Sequence, residues 1–101
     1  MTSLRPAAIA GSFYPAGGQE LQSSIDNFLA TKLAHQENSP PPKAIIAPHA
    51  GLRFSGQCAA YGYQLWAPLA QSIRRVILFG PAHRVGLLGL GASSADYWQT
   101  P

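Results

Sequence analysis

Lys43-Ala-Ile-Ile-Ala-Pro-His-Ala-Gly-Leu-Arg-Phe54 is a short apolar run that stops at a proline and then presents a histidine. Downstream, Arg75-Val-Ile-Leu-Phe-Gly-Pro-Ala-His-Arg-Val85 repeats that grammar. Runs this short, rich in Ile, Val and Phe and ended by a breaker, read as strands buried on both faces, as inside a parallel sheet. The expected strands are Ala44 to Ala47 and Arg75 to Phe79. Ligands of open α/β sheets bind beyond the carboxyl ends of such strands, so His49 and His83 are expected at equivalent places on one rim.

Working outward, the segment between the two runs predicts a helix. Ser55 is a candidate N-cap, and a helix over about Gly56 to Trp66 would end before Pro68. Ala59, Ala60 and Gly62 are small enough to let it approach a sheet closely, with Tyr63 and Trp66 filling the sides. Strand, helix and strand make one βαβ unit with a right-handed crossover. Cys58 falls inside this helix and reads as a small buried hydrophobe.

Upstream, Leu21, Ile25, Phe28, Leu29 and Leu33 form the apolar stripe of an amphipathic helix opened by Gly17-Gly18. Glu20 suits the start of its dipole, and Lys32 and His35 suit its end. His35 reads as a solvated residue of the last turn. Gln36 to Pro42 is a connection stiffened by three prolines. Arg5 to Pro15 reads as an extended segment whose Phe13 and Tyr14 dock on the core or line a cleft. Beyond the second run, Leu87 to Ala92 is a candidate strand weakened by its glycines.

The expected fold class is therefore α/β, a partial, mostly parallel sheet with flanking helices. The chain has 101 residues, 47% hydrophobic and only 11% charged, so part of its apolar surface is expected to face something else, with association through an uncovered sheet face. Its net charge of +3 is scattered, which argues against a nucleic-acid or membrane surface. The single cysteine excludes an internal disulfide and fits a reducing compartment. The first ten residues lack the long apolar core of a secretory signal, and no run approaches the ~20 apolar residues of a membrane span. Cytoplasmic is the expected location.

Neutral imidazole offers a nitrogen lone pair to a metal while its other N–H is pinned by an acceptor. Two histidines with a carboxylate or thiolate and open positions suit Fe(II), Cu or Zn. The residues alone leave two readings open, metal ligation or catalysis on one side and hydrogen-bonded capping of strand ends on the other. Arg53 and Arg84 follow the two histidines and both read first as solvated surface arginines; of the two, Arg84 is the better placed to meet an anionic substrate.

Four stretches taken together resemble the MEMO family, whose bacterial members are also called AmmeMemoRadiSam system protein B. They are Arg5-Pro-Ala-Ala-Ile-Ala-Gly-Ser-Phe-Tyr-Pro15, Ala44-Ile-Ile-Ala-Pro-His-Ala-Gly51, Gly80-Pro-Ala-His83 and Ser93-Ser-Ala-Asp-Tyr-Trp-Gln-Thr-Pro101. The resemblance implies a fold similar to the class III extradiol (LigB-like) dioxygenases, with residues 1–101 forming the N-terminal part of a single truncated domain. It implies that His49 and His83 are catalytic and hold a metal, iron or copper with zinc as a further candidate. The third ligand, a cysteine in animal members, and a further Asp/His motif lie later in the family sequence, so neither is carried here and Cys58 does not replace them. Some members have a second histidine where this chain has Arg84.

Two functions follow as expectations. One is a metal-binding, dioxygenase-like protein, an iron- or copper-dependent oxidoreductase at full length. The other is a non-catalytic protein that binds a peptide or other partner in the same pocket, with Tyr14, Phe54 and Arg84 on its rim; on either, these 101 residues are expected to be inactive alone.

Overall fold

In a computed structural model, residues 1–33 and 39–101 are described. Helix α1 (Gly18–Ala30) follows a Gly17 N-cap in extended conformation and carries Glu20 in its first turn, where a carboxylate meets the positive end of the helix dipole. Its apolar stripe ends sooner than the spacing predicts, because Thr31 leaves the helical conformation and Leu33 lies beyond it. Lys32 therefore follows the helix rather than closing its last turn, and His35 lies outside the described residues.

What closes α1 is supplied from across the sequence. The last carbonyls of any helix lack intrahelical donors. Here the Gln57 side-chain amide donates to the Phe28 carbonyl at 3.0 Å, and that of Gln64 donates to Leu29 and Thr31 at 3.0 and 2.6 Å.

Gln57 belongs to α2 (Leu52–Tyr63), and Gln64 opens a 3₁₀ helix (Gln64–Leu69) that contains Pro68. Helix α2 begins before Ser55, which is not its N-cap: the cap is Gly51. The helix starts early because the Leu52 N–H finds an acceptor outside it, the Phe13 carbonyl at 2.7 Å. The Ser55 hydroxyl instead donates back to the Ala50 and Gly51 carbonyls at 2.9 and 3.4 Å. At the other end, the Trp66 indole N–H donates to the Pro42 carbonyl at 2.8 Å, edge-on to the Tyr63 ring.

The two helices pack through α2's small residues. Ser55, Gly56 and Ala60 are its buried positions, and a Cβ at Gly56 would stand 2.6 Å from the Phe28 ring of α1. Gly62 faces Ile45, and a Cβ there would meet it only at ordinary van der Waals distance, 3.7 Å. Cys58 turns out exposed, because the faces packed on α1 and Ile45 leave it on the open side of α2.

The sheet departs most from expectation. Ala44–Ala47 and Arg75–Phe79 form no strand: neither is part of a ladder, and Val76, Ile77, Leu78 and Phe79 are all exposed. Branched and aromatic residues suit a pleated, half-buried surface, yet a strand also needs a neighbour's backbone. Among the described residues neither run has one. Leu87–Ala92 forms no strand either, and Gly89 takes φ +82° within it. The hydrogen-bonded sheet is instead β1 (Leu4–Arg5) paired in parallel with β2 (Tyr97–Trp98), Leu4 opposite Tyr97 and Arg5 opposite Trp98.

Asp96 fastens this pair. Its carboxylate accepts from the Ser3 backbone N–H at 2.8 Å and the Ser3 hydroxyl at 3.0 Å. Those two bonds, the backbone one first, hold its carboxyl below the ordinary aspartate range, against a small opposing effect of burial. The Arg5 guanidinium lies over the Trp98 ring, 4.2 Å from its centroid.

The result is a small α/β structure with two helices and one two-stranded parallel sheet among the described residues. Its radius of gyration is 15.4 Å, where a compact chain of this length gives about 12.7 Å. No helix among the described residues is long and apolar enough to cross a membrane.

Candidate functional site

His49 is held by its surroundings on both sides in sequence. Pro48 fixes the backbone before it. After it, the Ser55 hydroxyl ties down the Ala50 carbonyl, and Leu52 is bonded to Phe13, so the turn is pinned to α2 and to the N-terminal segment. That segment is not simply extended: Gly11, at φ +84°, reverses it, and the Gly11 N–H donates to the Tyr14 carbonyl at 2.7 Å. His83 is carried differently, on the exposed stretch after Pro81, in a bend over 83–85.

The two imidazoles meet. Their Nε2 atoms are 3.2 Å apart and their ring centroids 5.4 Å, with the planes inclined at 42°. Two arrangements give this distance. Opposite tautomers place one Nε2–H as donor to the other ring's lone pair. Alternatively both lone pairs converge on one ion: at a metal–nitrogen distance of 2.0–2.1 Å, tetrahedral ligands stand about 3.3 Å apart. The donor set thus fits two positions of a transition-metal site. Among the described residues no group of three or more His, Cys, Asp or Glu converges.

A cavity of about 570 Å³ opens beside His49 between the N-terminal segment and the two helices. Tyr14 lines it together with His49, while Arg5 and Trp98 close one side. Phe54 and Arg84 are not among its lining residues; Phe54 is exposed under the Arg53 guanidinium, 4.5 Å from its ring centroid, and Arg84 is exposed beyond His83. Sequence reasoning did not single out Arg5 and Trp98 as site residues, although both lie in stretches that carry the family resemblance, because they meet only through pairing of segments more than ninety positions apart.

These features define an α/β chain in which two proline-preceded turns bring a pair of imidazoles to one point beside an apolar cavity. A family model described as Memo-like protein matches residues 5–101, and the chain belongs to that family. Protein MEMO1 of Xenopus tropicalis is 40% identical over 97 residues, covering 96% of this chain and 31% of the frog protein. Human Protein MEMO1 is 39% identical over the same span. A MEMO1 family protein of Thermoplasma volcanium is 37% identical over 98 residues, covering 97% of this chain and 35% of the archaeal one. The chain therefore spans about a third of the length of these curated relatives. No solved structure matches it.

Proposed function

We propose that His49 and His83 supply two ligands to a single transition-metal ion, iron or copper before zinc, in a Memo-family protein whose fold is similar to the LigB-like dioxygenases. The observation that supports this reading is the 3.2 Å separation of their Nε2 atoms, close to the bite that one ion requires. When bound, the ion would supply activation of dioxygen or polarisation of a small substrate.

The chain's own residues do the positioning. Pro48 and the Ser55–Ala50 hydrogen bond limit the travel of His49. The cavity at its flank gives an apolar substrate somewhere to lie, with Tyr14 on its wall. Each imidazole must present an unprotonated nitrogen, so binding weakens on acidification.

Two ligands alone make a weak site. Titration of the 101-residue chain with Fe(II), Cu(II) and Zn(II) in turn should give affinities weaker than micromolar, less favourable than about −8 kcal/mol. Cu(II) electron paramagnetic resonance should show coupling to two nitrogens, falling to one in His49→Ala and in His83→Ala. Spectra unchanged by either substitution would overturn the reading.

A second reading, a binding protein without chemistry, is favoured by the apolar walls of the same cavity. Peptide binding that survives both His49→Ala and chelation would select it.

A further inference from the structure

The cavity beside His49 has a charge on its wall. Arg5 lines it, and among the other described residues that do so there is no Lys, Asp or Glu. Much of the remaining wall is apolar, with Ile9, Phe13, Leu21, Ile25 and Leu52 contributing its larger side chains. How Arg5 is held decides what it can offer. The pairing of β1 with β2 sets it opposite Trp98, the Gln99 N–H donates to its carbonyl at 2.9 Å, and its guanidinium lies over the Trp98 ring, 4.2 Å from the centroid. Stacking uses the flat face of a guanidinium and leaves the N–H groups of its edge, a fork that matches the two oxygens of a carboxylate. Asp96, two residues before Trp98, is taken up by Ser3 and does not line the cavity.

We infer that the cavity takes a small organic monocarboxylate, its hydrocarbon or aromatic part against Phe13, Leu21 and Ile25 and its carboxylate on the edge of Arg5, which makes Arg5 the residue that sets specificity. The inference rests on the reading of this cavity as the place where a substrate lies beside His49, and it names the class of that substrate. Charge complementarity selects the guest: the wall offers one cation, and apolar surface beyond it rewards a body without further charge. One guanidinium balances a single negative charge, which favours a carboxylate over a phosphate monoester of charge near −2. The volume of about 570 Å³ falls inside the range of about 300–1,000 Å³ usual for small-molecule sites.

The test titrates the 101-residue chain, with metal removed by EDTA, against 3-phenylpropionate, its neutral amide and phenyl phosphate, followed by nitrogen–proton correlation spectra. The carboxylate should bind at least about tenfold more tightly than the amide. Its shifts should fall on the Trp98 indole N–H and the amides of Leu21 and Ile25, and leave the Trp66 indole, which is bonded to Pro42, unmoved. Arg5→Gln should lower the carboxylate to the affinity of the amide and leave the amide's own affinity unchanged, while Arg5→Lys should keep a preference of about threefold or more. Equal binding of acid and amide, no binding of either, tighter binding of phenyl phosphate, or a preference that survives Arg5→Gln would overturn the inference. If Arg5→Gln also loses the amide, Arg5→Lys decides: loss of the amide there too would make Arg5 a support of the sheet and sink the proposal, and a retained preference for the acid would uphold it. Copper coupling to the imidazoles is measured without these probes. Its failure with the carboxylate preference intact would strike the metal and keep the ligand, and the reverse would strike the ligand alone.

Discussion

The half of the molecule built on α1 and α2 and the arm from Arg75 to Leu90 contain residues of similar apolarity but behave as different materials. In the first, each element has somewhere to put its polar backbone: Gln57 and Gln64 close α1, Phe13 receives Leu52, and Ser55 holds the turn after His49. In the second, the β-forming run Val76–Phe79 lies open, side chains and backbone together. Apolar composition alone does not make a core. What separates the halves is a second surface close enough to exclude water and accept hydrogen bonds.

That contrast is sharpest at Gly56, where the helices touch. Gly56→Leu forces a side chain into the Phe28 ring and should cost about 1–3 kcal/mol, more than the ~1 kcal/mol that leaving glycine gains in helix propensity. Urea unfolding followed by circular dichroism reads the loss. Phe28→Ala in the same chain should recover part of it, with a coupling of at least about 0.5 kcal/mol. Full additivity would mean that the helices do not meet there.

A smaller effect is expected at Gln64. Replacing it with Ala strips a donor from two carbonyls at the end of α1, and exposed bonds of this type contribute about 0.5–1.5 kcal/mol. Faster amide exchange confined to the last turn of α1 and to the residues after it would locate the effect; uniform change across the chain would not.

Asp96 gives a pH-dependent comparison between the two-stranded sheet and the helices. Its carboxyl is held below the ordinary value of about 3.9, so the folded state binds fewer protons than the unfolded one in that range. Its contribution is therefore full above the ordinary value and is lost as pH falls through the lower, folded one. Exchange of the Tyr97 amide should accelerate selectively in that acidic window, relative to amides of α2, and Asp96→Asn should flatten the difference. An identical profile in the variant would show that the clasp does not depend on the charge.

The smallest effect belongs to the arm. Leu78→Ala should change the unfolding free energy by less than about 0.5 kcal/mol, because the side chain is already exposed. A loss of 2 kcal/mol or more would mean that the arm is packed in solution and would erase the contrast between the halves.

The same contrast explains what could be read from residue order. Helix α1 was legible because Leu21, Ile25, Phe28 and Leu29 repeat at helical spacing, a local property of the chain. Its end at Ala30 was not, since the groups that close it come from Gln57 and Gln64. The runs at Ile45 and Ile77 announced β-forming composition correctly, but a ladder depends on a neighbour that composition does not describe. At the site, the repeated proline-to-histidine turns were enough to single out His49 and His83, and the structure brings their rings together even though the segments carrying them are not paired strands. That Trp98 and Arg5 meet was invisible for the same reason as β2, whose partner lies at the other end of the sequence.

The Ser3–Asp96 fastening also sets a topological condition on the molecule. It closes a ring of more than ninety residues with a handful of exposed hydrogen bonds, and drawing together ends that far apart costs about 4 kcal/mol from chain entropy alone. A covalent staple between these two positions would make that closure permanent and shift the loss of freedom into the unfolded ensemble. The two-stranded sheet would then hold through local melting of either helix.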